Sequence, residues 1–440
     1  MGKRKKECAL KKDPNEKSLV YLCGRGTIAQ LVEQRTENPC VPGSNPGSTT
    51  KKVSFSLAFF VTAPIYRFAI CHLFAQHMTR YCLNSSRSGT GDLHEAMTWI
   101  PPQSNPLFII DTFFQKESAF IFNEIHPSSK RIFWFDADET QKSIERAIAI
   151  WEWLVELEAN RSTPLVIVGG GITLDTGAFA ASTFQRGIPF TLVPTTLLAQ
   201  VDASIGGKNG VNFLTIKNYL GTITEPTHVI ADTRVLATLP AAHVISGWME
   251  MVKHGLIADP ELWRTLSSFQ YVPRPENEPE LIRTSSQIKF NIVQDDLRED
   301  GRRKILNFGH TVAHALESLA SREAMNVPHG MAVGLGMVFS LTWSAQLTTE
   351  NSRQTLLEAA QIVRAWIEQF TEFNCINWAA SLDALEVWNN MKRDKKNRAD
   401  EVLEVALKAI GEAHWDEPIT RPVFEEVWQQ IVHENSSAQN

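Results

Sequence analysis

The chain has 440 residues, 43% of them hydrophobic, with a formal net charge of −6, a length that predicts two or three domains with cores of their own. Residues 1–90 hold 14 Lys and Arg against 5 Asp and Glu, which leaves 29 against 44 in the other 350. So acidic a body excludes a nucleic-acid partner, because phosphate backbones are bound by clusters of Lys and Arg.

Residues 1–90 differ from the rest. The stretch GRGTIAQLVEQRTENPCVPGSNPGSTT resembles a transfer-RNA gene translated in a wrong frame. A spurious or disordered extension is therefore expected here, with Met78 and Met97 as candidate starts. An apolar run within 53–74 is broken by Pro64 and Arg67, short of the roughly 20 residues a membrane span requires. It also lies too far from the start for a secretory signal, so no membrane partner is expected. Five cysteines (Cys8, Cys23, Cys40, Cys71 and Cys82) fall in this region and only Cys375 beyond it. The body thus has no disulfide framework, as expected of a cytoplasmic protein.

From Met97 onward, apolar runs at 107–110, 131–135, 165–168, 190–193 and 227–230 alternate with polar or helical stretches, the pattern of a parallel sheet in an α/β domain. Within 142–158, Ile144, Ala147, Ile148, Trp151 and Leu154 recur at helical spacing and predict a helix covering that sheet. Past Leu239-Pro240, helical periodicity takes over near 244–258, 279–296, 308–321, 330–347, 353–371 and 421–434. The reading is a Rossmann-like nucleotide-binding domain over 97–243 and a mainly α-helical metal-binding domain over 244–440, with the site in the cleft between them.

Three constellations carry chemistry. Gly169-Gly170-Gly171 follows the third apolar run and leads through Asp175 into a helical stretch; glycines there let backbone amides approach a pyrophosphate. Next, Arg186, Thr195, Thr196, Asp202, Lys208, Lys217 and Asn218 crowd into 33 positions amid glycines, a concentration of cations and hydroxyls suited to an anionic, polyol ligand. Last, Glu250 in GWMEMVKHGLI, His310 in LNFGHTVAHALE and His329 in VPHGMAVGLG offer one carboxylate and two imidazoles. That set leaves a zinc or cobalt ion a free position for substrate, where a structural zinc would be closed, usually by cysteines. His254 is an alternative to His329. His314 is four residues from His310, and Lys289, Arg303 and Asn307 lie just upstream; Lys253 shares a helical face with Glu250.

These motifs, with QRG, VPTTLLAQVDASIGGKNGVN and PHGMAVGLGM in the same order, resemble the 3-dehydroquinate synthase family of sugar phosphate cyclases over roughly residues 100–435. The resemblance implies NAD held by Glu139, Lys142, Gly169 to Gly171, Asp175, Thr195, Thr196, Asp202, Lys208, Lys217 and Thr238. It implies a metal on Glu250, His310 and His329, and a seven-carbon 3-deoxy keto acid phosphate (DAHP) gripped by Lys208, Asn218, Lys289, Arg303, Asn307, His314 and Lys396, with Lys253 alongside. Arg186 matches an arginine that crosses the interface of a homodimer. Met331, Asn209, Thr176 and Ala178 depart from the family's pattern. Two rival activities are another cyclase, forming valiolone or deoxyinosose products, and a zinc-dependent polyol dehydrogenase.

Overall fold

The computed structural model describes residues 18–23, 27–32, 80–83, 100, 105–117, 129–214, 216–393 and 402–433. Residues 1–69 form a unit of their own, in which β1 (Ser18–Cys23) and β2 (Thr27–Val32) pair as an antiparallel hairpin. The apolar run within 53–74 lies outside the described residues.

The second unit is built on a parallel sheet in which β3 (Arg80–Leu83), β4 (Leu107–Asp111), β5 (Ile132–Phe135), β6 (Leu165–Gly169), β7 (Phe190–Pro194) and β10 (His228–Ala231) run in the order β3-β10-β7-β6-β4-β5. The five runs read from the sequence are all present. The edge strand β3 was not foreseen: it falls within the segment expected to be an extension, yet it pairs with β10 from Arg80 to Leu83. β4, β6, β7 and β10 are buried along their length because both faces of the sheet are covered there. A short helix, α1 (Phe113–Glu117), follows β4, and Leu107, Ile109, Leu165, Ile167 and Leu192 pack beneath α2 (Ile144–Glu156) and α3 (Gly171–Thr183). Phe108, Ile110, Val166, Val168 and Val193 join one core with the helical half.

On α2 the buried stripe is Ala147, Ile150 and Leu154, whereas Ile148 is 43% exposed. The helix is turned relative to the expected face: Trp151 moves to its flank, where its Nε1 donates to Ala180 O at 3.0 Å.

Between β7 and β10 a hairpin, β8 (Lys208–Phe213) and β9 (Ile216–Ile223), leaves the sheet. The helical half follows: α4 (Ala241–Ala258), α5 (Pro260–Ser267), α6 (Pro279–Asp295), α7 (His310–Arg322), α8 (His329–Leu347), α9 (Glu350–Gln369), α10 (Cys375–Ala380), α11 (Ala384–Met391) and α12 (Arg421–His433). α4 spans the expected boundary at 243. A second hairpin, Val402–Ala409 with Glu412–Ile419, was also not foreseen. Among the described residues α8 alone is long and apolar enough to cross a membrane, and 89% of its apolar window is buried inside the protein.

Candidate active site

The sheet reverses its strand order between β4 and β6, since β4 leads to β5 on one side and β6 lies on the other. Ligands of open α/β sheets bind beyond the carboxyl ends of the strands at such a switch. The glycine run stands there. Gly170 caps α3 without a side-chain hydrogen bond and no acid occupies the first turn, which leaves backbone N–H groups and the positive end of the helix dipole for an anion. A β-carbon on Gly170 would lie 3.0 Å from Thr196 Cγ2, so glycine keeps the cradle open. Thr195 N donates to Gly169 O at 2.9 Å. Asp111, which the sequence reading did not single out, ends β4 one residue past the pairing of Ile110 with Val168; burial raises its carboxyl above the ordinary range.

Several residues assigned to one ligand hold each other. Lys142 Nζ meets Asp175 Oδ2 at 2.6 Å, and Glu139 Oε1 accepts from Asn212 Nδ2 at 2.9 Å. Lys289 Nζ lies 2.6 Å from both Asp202 Oδ1 and Asp202 O. Burial opposes the Asp202 charge, but Lys289 brings its pKa to about 2. Lys289 thus sits with a group assigned to the cofactor. Lys217 and Asn218 are exposed on β9, Thr238 and Arg186 are exposed elsewhere, and Lys396 lies outside the described residues.

The carboxylate and two imidazoles do meet. Glu250 is fully buried on α4. His310 and His329 are the first residues of α7 and α8, and α8 rests on α4 where Gly330 N donates to Ser246 Oγ at 3.3 Å. The start of α7 can dock closely on α8 because Gly336 has no side chain: a β-carbon there would stand 1.9 Å from Gly309 O. Glu250 Oε1 lies 3.3 Å from His310 Nε2 and 3.4 Å from His329 Nε2. A tetrahedral ion with bonds of about 2.0–2.1 Å sets its donors roughly 3.3 Å apart, so the three atoms have the spacing of one coordination shell. The outer nitrogens are also engaged: His310 Nδ1 with Phe308 O at 3.2 Å, and His329 Nδ1 with Glu317 Oε1 at 3.0 Å. In the neutral imidazoles, donation from Nδ1–H to those oxygens leaves Nε2 as the nitrogen available to an ion beside Glu250. Glu317, the last residue of HALE, was missed by the sequence reading although it is one turn from His314.

Burial would raise the Glu250 carboxyl, but Lys253 and His310 hold it well below the usual range; the Lys253 ammonium pairs with Glu250 Oε2. The alternative ligand His254 points elsewhere, its Nδ1 2.8 Å from Ser285 Oγ. Asp202, Glu250 and His254 form a second grouping, but there Lys289 already neutralises the Asp202 carboxylate.

The groups expected to hold an anionic substrate are engaged within the protein. Arg303 is buried, with Nη1 donating to Leu297 O at 2.8 Å and Nη2 to Gly206 O at 3.3 Å. Asn307 Nδ2 donates to Glu299 Oε1 at 2.5 Å, and Lys208 pairs with Glu299 Oε2. The His314 ring lies 5.5 Å from that of His310. Of the departures from the family's pattern, Thr176 and Ala178 are buried in α3, Asn209 donates to Thr224 O at 2.9 Å, and Met331 is buried in the first turn of α8.

Comparison with known proteins gives the family. Residues 132–246 match the 3-dehydroquinate synthase N-terminal family and residues 247–397 its C-terminal counterpart. The 3-dehydroquinate synthase of Enterococcus faecalis (strain ATCC 47077 / OG1RF) is 35% identical over 340 residues, covering 74% of this chain and 90% of that protein. That of Corynebacterium glutamicum (strain R) is 37% identical over 300 residues, covering 67% and 79%. Among solved structures, 2-deoxy-scyllo-inosose synthase complexed with carbaglucose-6-phosphate, NAD+ and Co2+ superposes with a TM-score of 0.65 at 24% identity, over 81% of this chain and 98% of the other. The 2-epi-5-epi-valiolone synthase ValA of Streptomyces hygroscopicus subsp. jinggangensis 5008, with NAD+ and Zn2+ bound, gives 0.63 at 22% identity over 82% and 98%. Those two likenesses speak to the fold; the sequence matches, running through both halves of the site, show that the chain belongs to the 3-dehydroquinate synthase family.

Proposed function

We propose that the chain is a carbon–oxygen lyase that converts DAHP to 3-dehydroquinate and inorganic phosphate, the reaction named by its family, in the shikimate route to aromatic amino acids. The observation that carries this reading is the convergence of Glu250, His310 and His329 on one point. NAD, when bound, takes a hydride from the substrate and returns it, and a zinc or cobalt ion on those three residues polarises the substrate's hydroxyl oxygens.

The remaining work falls to the chain's own groups. Gly169 to Gly171 and the amino end of α3 receive the cofactor's pyrophosphate, and the rest of NAD falls to Thr195, Thr196, Asp175, Lys142, Glu139, Asp202, Lys208, Lys217 and Thr238. Lys253 keeps Glu250 ionised and its Oε1 turned toward the imidazoles. Arg303 offers a planar fork to the substrate carboxylate, and Lys208, with Asn218, Lys289 and Lys396, offers charge and donors to its phosphate and hydroxyls. His314, one turn beyond His310 and exposed to solvent, is placed to move a proton at a substrate oxygen, with Asn307 polarising it.

A division near residue 243 makes this a cleft enzyme, since Lys208–Glu299 and Lys289–Asp202 each join groups from the two sides. Arg186 has a positive φ of 70° and an exposed side chain, which suits a residue reaching into the partner of a homodimer. The setting is cytoplasmic.

The test is phosphate release when DAHP is added to protein loaded with NAD and zinc. The reading requires turnover without accumulation of NADH. Steady NADH formation would instead mark a polyol dehydrogenase, and phosphate release from a sugar phosphate that lacks a carboxylate, surviving Arg303→Ala, would mark the rival cyclase.

A further inference from the structure

Glu299 is where two substrate-facing donors meet. Lys208, at the start of β8, and Asn307, eight residues beyond Glu299, each bond one of its carboxylate oxygens. The loop that presents it is tightly fixed: the Asp296 carboxylate accepts the backbone N–H groups of Asp300, Gly301 and Arg303 at 2.8 to 3.1 Å. Within that turn Glu299 has a φ of +62°, a left-handed backbone that costs a residue bearing a β-carbon about 1–3 kcal/mol and persists only where the surroundings enforce it. Burial lowers the pKa of the Arg303 guanidinium, and Glu299 is the foremost of the acids that act against that loss. The Glu299 carboxylate therefore stands among Lys208, Arg303 and Asn307. Lys208 is 56% exposed, so solvent anions can reach it.

We propose that Glu299 is a resident counter-anion of the substrate pocket, holding Lys208 and Asn307 until an oxyanion of the ligand, phosphate or carboxylate, takes them over. The inference rests on the reading of Lys208 and Asn307 as substrate groups. Two anions cannot share the same donors at full strength, since like charges a few ångströms apart repel. Substrate entry then becomes an exchange that admits only ligands able to outcompete a carboxylate.

The experiment is calorimetric titration of the NAD- and zinc-loaded protein with inorganic phosphate and, separately, with pyruvate, in the wild type, Glu299→Gln and Glu299→Asp. Glu299→Gln should bind at least one of these anions about tenfold more tightly. Which anion gains identifies the group that performs the exchange. Glu299→Asp, one methylene too short to hold both donors, should fall between. Glu225→Gln is the control, because Glu225 also acts on Arg303 through space and its nearest side-chain partner is Gln294 at 3.4 Å. Unchanged or weaker anion binding in both Glu299 variants would make Glu299 a scaffold for its two partners and overturn the proposal. An equal gain in Glu225→Gln would reduce the effect to net charge and overturn it as well. Wild-type turnover of DAHP is scored separately, so failure here is distinct from failure of the assigned reaction.

Discussion

His329 Nδ1 lies 3.0 Å from Glu317 Oε1 while its Nε2 lies 3.4 Å from Glu250 Oε1. One imidazole therefore joins two carboxylates, one behind it and one across the point where an ion would sit. A carboxylate behind a ligating histidine fixes the ring and raises its basicity. Glu317→Gln should keep the fold and weaken zinc affinity by about 10- to 100-fold, measured by competition with a chelating dye. An affinity equal to wild type would show that Glu317 has no part in holding the ligand.

The two histidines differ in charge. Burial, with Lys253 next, brings the His310 imidazole down to about 4. Burial also acts against the His329 charge, but the adjacent Glu250 and Glu317 carboxylates push it up to about 10. Near neutral pH, before an ion binds, His329 thus carries a proton and His310 does not. An ion must expel that one proton, so affinity should climb about tenfold per pH unit up to about 10. In ion-free protein the sign is opposite: the raised pKa of His329 stabilises the fold below about pH 6.5, and this is lost as pH rises through about 10. Zinc titrations between pH 6.5 and 8.5 in buffers of different ionisation enthalpy test this, and a pH-independent affinity would contradict it.

Gly206 has a φ of +103°, and a β-carbon there would lie 2.6 Å from Arg303 Nη2. Gly206→Ala should therefore cost about 1–3 kcal/mol of stability and shift the guanidinium, raising KM for DAHP more than it lowers kcat. Thermal unfolding and steady-state kinetics report the two effects. A KM at the wild-type value would show that Arg303 is not held by this turn.

β4, β6, β7 and β10 were legible because they are buried on both faces and so read as unbroken apolar runs. The outer hairpin strand Glu412–Ile419 was not, since EAHWDEPI is mostly polar and its pairing with Val402–Ala409 is a tertiary event. β8 and β9 hid for a related reason: KNGVNF has no clean alternation, and its two glycine-containing strands make each other. Ile148 was misplaced because a periodicity of 3.6 fits more than one stripe on α2, and the contact of Trp151 with Ala180 selects the turn of the helix. At the site, residue types and motif order named the candidate side chains, but the pairings among them did not follow from the sequence. Lys142 with Asp175 and Lys289 with Asp202 are 33 and 87 positions apart. Glu317 carried a signal that went unused, seven residues after His310 on the same helix.

X-ray absorption at the zinc edge on the loaded protein is the most direct test of the claim that Glu250, His310 and His329 hold one catalytic ion. The expected shell is nitrogen and oxygen only, at about 2.0–2.1 Å with the outer scattering of two imidazoles, and it should lose one imidazole in His329→Ala. A sulfur neighbour, or a spectrum unchanged in His310→Ala and His329→Ala, would place the ion elsewhere and contradict the account.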